Sequence, residues 1–186
     1  MGMPRIGAQR WTAAMVRAFP EDGNRYEVVD GELLVTPAPR SVHQRAVREM
    51  TFALHEWIKE QGTGEEVLMS PADIELELHG LVQPDIFVAP VVRNWKDVRS
   101  LTLAVEVLSP STEQNDREKK RHLFSRVGVP EYWIVDCDRR CVERWRPGDE
   151  APETLTTMLE WHPHGAGAAF VLDLAGYFKA VHAEGQ

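Results

Sequence analysis

A single carboxylate stands inside the run LTLAVEVL, residues 101 to 108, and this restricts the fold more than any other stretch of the chain. Every neighbour of Glu106 there favours a strand. Side chains alternate across a strand. Leu101, Leu103, Val105 and Val107 are therefore expected on one face, and Thr102, Ala104, Glu106 and Leu108 on the other. A charged group amid such a run is costly to bury unless it is paired or bound to a cation. The fold must bring a partner to Glu106.

The next element supplies one. Between Asp116 and Val127, Lys120 stands three, four and seven positions before Leu123, Phe124 and Val127. That is the spacing of one helix face. Lys120 is expected on the stripe that packs against the sheet, while Lys119, Arg121 and Arg126 project elsewhere. A shift of one residue in helix register would exchange Lys120 for Lys119. Buried lysine is uncommon unless paired, so an inward lysine and an inward glutamate on consecutive elements suggest a site. Asp85 follows Pro84 and opens the apolar run Ile86 to Val88, which sets it at a strand start. Asp116, one turn before Lys120, can pair with it or cap the helix.

The Pro84-Asp85 pair, the central-strand Glu106, the SPST turn at 109–112, D-x-x-x-K at 116–120 and the block GVPEYWIVD at 128–136 go together. In this combination the chain resembles the Uma-type putative restriction endonuclease family, within the PD-(D/E)XK nuclease superfamily. The resemblance implies an α+β fold with an α/β-type, restriction-endonuclease-like core of helix, three strands, helix and strand. A mixed central sheet with flanking β-hairpins belongs to it. It also implies a divalent-metal-dependent endonuclease that hydrolyses DNA phosphodiester bonds with Mg²⁺ or Mn²⁺ as cofactor. Asp85, Glu106 and the main-chain carbonyl of Val107 are then the metal ligands, and Lys120 orients or activates the attacking water. Carboxylates suit this task because they are hard oxygen donors. Glu32, His43 and Asp116 are implied as supporting residues around that set. The plain superfamily pattern has lysine two residues after the glutamate, where this chain has Leu108; the Uma-type variant carries it on the following helix, and Lys120 matches that.

Structural alternatives stand beside each assignment. Glu106 and Lys120 could form a buried ion pair with no metal. Asp85 could be a strand-edge residue, His43 a core histidine and Glu32 a solvated strand residue. A catalytically inactive binding module, or a dimeric interaction module using the six tryptophans and two hairpins, is the rival to the enzyme.

With 186 residues the chain is expected to form one main domain. We place an arm with a short helix at residues 1–24, the domain at 25–178 and a tail at 179–186. The formal net charge of −8 counts against a simple DNA-binding protein, but a bound cation changes the local balance. Basic clusters occur at Lys119, Lys120, Arg121 and Arg126, and at Arg139, Arg140, Arg144 and Arg146. No apolar run approaches the ~20 residues of a membrane span, and the start MGMPRIGAQR lacks the apolar segment of a secretory signal. Cys137 and Cys141 are too few for a structural zinc site and fit a reducing cytoplasm. The expected state is a cytoplasmic homodimer acting on DNA, with RNA open as a second substrate and no membrane partner.

Local signals set the remaining elements. Thr12 can cap a helix to Phe19. Asp30-Gly31 signals a hairpin between Tyr26–Val29 and Glu32–Thr36, ended by Pro37 to Pro39. A long helix from about Val42 to Gln61 has Ser41 and Gln44 as a capping box, Gly62 at its end, and Val47, Met50, Leu54, Trp57 and Ile58 on its apolar face. IELEL at 74–78 reads as a strand before a His79-Gly80 turn, and Trp95 as packed. Tyr132–Asp136 and Cys141–Arg146 form a second hairpin. Thr154–Leu159 and Phe170–Leu174 read as final strands around a loop holding His162 and His164, a weak ligand pair.

Overall fold

The apolar runs become strands, and the longest of them meet in one mixed sheet. The computed structural model describes residues 10–20, 22, 24–36, 40–77 and 80–183. Expectations for arm residues 1–9, the stop at 37–39, the His79 turn and tail residues 184–186 lie outside the described residues, as does the Trp95 side chain.

Helix α1, Ala13–Val16, starts at Thr12, whose hydroxyl accepts from the Met15 N–H at 3.3 Å; it is shorter than the expected span. Strands β1, Arg25–Val29, and β2, Glu32–Thr36, form the hairpin. Asp30 and Gly31 both take positive φ, 53° and 80°, as a type I′ turn requires. Helix α2 spans Ser41–Gln61. Its capping box does not form: the Gln44 N–H donates to the Arg40 carbonyl, so the helix begins one residue early and Ser41 lies inside the first turn. Val47, Met50, Leu54 and Ile58 are buried along it, and Gly62 ends it at φ 61°.

Strands β3, Glu65–Met69; β4, Ile74–Glu77; β5, Gly80–Val82; β6, Ile86–Pro90; and β7, Leu103–Val107, follow. A π-helical segment, Asn115–Lys120, runs straight into helix α3, Arg121–Arg126. Then come β8, Glu131–Asp136; β9, Cys141–Trp145; β10, Glu153–Leu155; β11, Met158–Trp161; β12, Phe170–Asp173; and helix α4, Leu174–Val181.

The central sheet has the order β10-β9-β8-β7-β6-β3. Only β7 and β8 run parallel in it. A parallel pair needs a crossover connection, which the π-helical segment and α3 provide. A second sheet has the order β2-β1-β5-β4, and β11 pairs with β12. Alternation along β7 sends Leu103, Val105 and Val107 toward α2 and α4. Ala104 packs on the opposite face with Phe87, Leu123, Phe124 and Ile134. Leu101 joins that second cluster, against expectation, because it precedes β7 and alternation does not reach it.

The C-terminal part departs most from the sequence reading. The expected strand at 154–159 is broken at Thr156 and Thr157 into β10 and β11. Leu174 opens a helix instead of ending a strand, because the Asp173 carboxylate accepts from the N–H groups of Ala175 and Gly176 at 3.1 and 3.0 Å. Leu174, Tyr177, Phe178 and Val181 then bury one helix stripe in the core shared with α2. This helix runs through residue 179, where the tail was expected to start. His162 and His164 are exposed. Cys137 and Cys141 are buried free thiols. Burial, with Asp136 and Asp138 adding to it, pushes Cys137 up to about 12, so its reactive thiolate is scarce. No described helix is long and apolar enough to cross a membrane.

Candidate active site

The central sheet sets Asp85 against Glu106. Strands β6 and β7 pair Ile86 with Val105, Phe87 with Ala104 and Val88 with Leu103. One further step in that antiparallel register places Asp85 across from Glu106 on the same face. The backbone ladder ends there, and the Val107 N–H donates instead to Asp85 Oδ2 at 2.9 Å. Both acids are buried, Asp85 at 4% and Glu106 at 1% exposure.

Lys120 reaches them from the π-helical segment. Its ammonium donates to Glu106 Oε1 at 2.8 Å and lies 3.0 Å from Glu27 Oε2 and 3.4 Å from Asp116 Oδ1. Leu123 and Phe124, which share its stripe, are fully buried. Lys119 turns outward and donates to Glu32 Oε1 at 2.6 Å. The register thus brings Lys120, and not Lys119, into the cluster. π-helical turns are rare and frequent at functional sites; this one carries both Asp116 and Lys120, and the Tyr132 hydroxyl donates to the Asp116 carbonyl at 3.1 Å.

Four carboxylates (Glu27, Asp85, Glu106 and Asp116) face two cations (Lys120 and Arg25), which leaves two formal negative charges over. Burial lifts Glu106 well above the usual carboxylate range. The Lys120 ammonium opposes this, while Asp85, Asp116 and Glu27 add to it. Asp116 is raised too, first by burial, and its Oδ1 has no hydrogen-bond partner. Asp85 moves the other way. Burial would raise it, but the His43 hydrogen bond and the Arg25 guanidinium outweigh burial and hold it well below the usual range. Burial also works against the Lys120 charge, yet Glu106, Glu27 and Asp116 keep Lys120 protonated well beyond an ordinary lysine. A raised acid beside a raised lysine is what surplus negative charge produces: the cluster retains protons on both. Lys120 is accordingly an ammonium here and not a neutral base.

Asp85 opens onto a cleft of about 760 Å³ whose wall includes Arg25, Arg40, His43, Gln83 and Ser109. Arg25 donates to Asp85 Oδ1 at 2.7 Å, and His43 Nε2 lies 3.0 Å from Asp85 Oδ2. Glu106 and Lys120 are not on the cleft wall.

Asp85, Glu106, Lys120, Asp116 and His43 thus come together. Glu32 does not: its side chain is 61% exposed and bound to Lys119, because β2 is the edge strand of its sheet. Two members of the cluster, Arg25 and Glu27, were not anticipated. Glu27 accepts from the Gln83 N–H at 2.8 Å. Its strand, RYEVV, has apolar residues on both faces, so alternation does not say which way Glu27 points.

Among the described residues, no three His, Cys, Asp or Glu side chains form a ready-made metal cage. The donor chemistry still fits a hard divalent cation, since Mg²⁺ is commonly held by one or two carboxylates and keeps several waters. The excess of carboxylates over cations in the cluster accords with that.

Comparisons with known proteins give two findings. A family model, Uma2, described as putative restriction endonuclease, matches residues 13–171. Among solved structures, the crystal structure of a putative nuclease belonging to DUF820 from Anabaena variabilis aligns with a TM-score of 0.74 and 19% identity, covering 91% of this chain and 98% of that one. At that identity the likeness speaks for the fold, which is restriction-endonuclease-like. No curated protein matches the chain.

Proposed function

The chain belongs to the Uma2 family of putative restriction endonucleases, and we propose that it is a divalent-metal-dependent endonuclease hydrolysing DNA phosphodiester bonds. The observation that carries this reading is the convergence of Asp85, Glu106 and Lys120 beside an open cleft, in a cluster with more carboxylates than cations. Asp85 and Glu106 would hold Mg²⁺ or Mn²⁺, with the Val107 carbonyl as a third oxygen. Paired residues in an antiparallel ladder use N–H and C=O on the same edge, and the Val107 N–H points at Asp85. A cation bound there would neutralise charge on the phosphate and lower the pKa of an attacking water.

The chain's own residues do the rest. Lys120 orients the water as a fixed positive charge. Glu27 and Asp116 hold Lys120 in place, and His43 holds the Asp85 carboxylate. Glu106, held above the usual carboxylate range, would release its proton to solvent in holding such a cation. Because Lys120 stays charged, it does not serve as the proton acceptor.

The test uses purified protein, Mg²⁺ or Mn²⁺, and plasmid, linear duplex and RNA substrates. Cleavage is expected to stop with EDTA and in Glu106→Ala and Lys120→Ala; cleavage that survives in either variant overturns the residue assignment. The second reading is a silent binding module. In its favour, both Asp85 oxygens are already engaged, by Arg25, His43 and Val107. DNA binding without Mn²⁺ binding or cleavage would select it.

A further inference from the structure

Arg25 is the unexpected member of the cluster, and its geometry has two sides. Toward the interior, it meets Asp85 Oδ1 at 2.7 Å, on a residue proposed above as a cation ligand. Toward the cleft, it lines the wall beside Ser109 and Arg40. A guanidinium has five N–H donors. Here Nη1 is committed to Asp85, while the buried Nε has no hydrogen-bond partner. A buried donor left open is uncommon, and on a residue that also lines the cleft it points to a partner the cleft would supply.

Two positive groups cannot share one carboxylate oxygen at close range without strong repulsion. The fixed charge of arginine also means that no change of pH in the working range removes this competition. We propose that Arg25 is a displaceable latch. Its guanidinium fills the cation's place on Asp85 Oδ1, leaves when the cation binds, and turns its fork of donors to a phosphate of the nucleic acid in the cleft. The fork suits that second role, because arginine meets phosphate oxygens through paired N–H donors. This rests on the metal-binding reading of Asp85 and Glu106.

The experiment measures Mn²⁺ binding by titration calorimetry, and binding of a labelled duplex with non-hydrolysable phosphorothioate linkages at saturating Mn²⁺ by fluorescence anisotropy. The proteins are wild type, Arg25→Ala, Asp85→Asn and, as a control, Arg48→Ala on the exposed side of α2. Arg25→Gln keeps the stem and a polar head, and replaces Arg25→Ala should the latter not fold. Arg25→Ala is expected to bind Mn²⁺ about tenfold tighter than wild type, since a competing unit charge is gone, and to bind duplex about tenfold more weakly. Arg48→Ala should change neither by more than about twofold. Unchanged Mn²⁺ affinity in Arg25→Ala, with wild-type binding that Asp85→Asn abolishes, overturns the latch and leaves the metal reading standing. Unchanged duplex affinity overturns it as well. No Mn²⁺ binding to wild type or Arg25→Ala overturns the latch and the metal reading together.

Discussion

Glu27 on β1 lies 3.0 Å from the Lys120 ammonium, so a strand of the smaller sheet anchors the lysine of the crossover helix. The same carboxylate accepts the Gln83 N–H through its other oxygen. Glu27→Ala leaves that donor buried and unpaired, which costs about 1–3 kcal/mol. Glu27→Gln keeps an acceptor there and is expected to stay within about 1 kcal/mol of wild type. Urea denaturation of both variants checks this; equal losses would mean that the charge, not the Gln83 contact, is what matters.

Lys120→Met is expected to be severe for a different reason. It removes the ammonium that faces Glu106, Glu27 and Asp116 and leaves buried carboxylates without it. Breaking a buried ionic set in this way costs about 3–5 kcal/mol. The cost is largest where the acids are ionised, so it should shrink as pH falls from 8 to 5. Cleavage should fall by a factor of about 10² or more. A stability loss that is flat with pH would contradict the charge surplus.

Glu106→Gln should be more stable than wild type at alkaline pH. The folded-state pKa of Glu106 is raised above its ordinary 4.5, chiefly by burial. Stability linked to that proton is therefore fully present below the ordinary value and is lost as pH rises through the raised one. Glutamine has no such proton to lose. Calorimetric melting at pH 5 and pH 8 should show the Tm of Glu106→Gln gaining on wild type as pH increases. For the same reason, wild-type Mn²⁺ affinity should rise over that range, because the cation displaces the proton.

Lys119→Ala and Glu32→Ala form the contrast to the buried set. Their ion pair is at the surface, with side chains 32% and 61% exposed. Each substitution should change stability by no more than about 0.5 kcal/mol and leave cleavage near wild type. A large loss of activity in Lys119→Ala would move the working lysine by one position.

Residues whose placement follows from near neighbours were legible in the sequence. The facing of Glu106 came from alternation in β7, and that of Lys120 from the stripe it shares with Leu123 and Phe124. Arg25 and Glu27 were not legible, because β1 gains its buried side from β5, joined through the pairing of Val28 with Leu81. No local pattern encodes that distant pairing. Glu32 sits beside the hairpin turn, but closeness in sequence does not bury a residue on an edge strand. Helix α4 could have been found: Asp173 is a strong cap, and residues 174, 177, 178 and 181 have helical spacing. The run FVLDL, read as a strand, absorbed its first residue.

Asp85 fastens the end of the β6–β7 seam by taking the Val107 N–H that no strand carbonyl receives. A replacement there without an acceptor oxygen, such as Asp85→Ala, loosens the architecture and the chemistry in one stroke. An inert form of the protein for trapping its nucleic acid is better made at Glu106, whose hydrogen bond runs to a side chain and not to the sheet's own backbone.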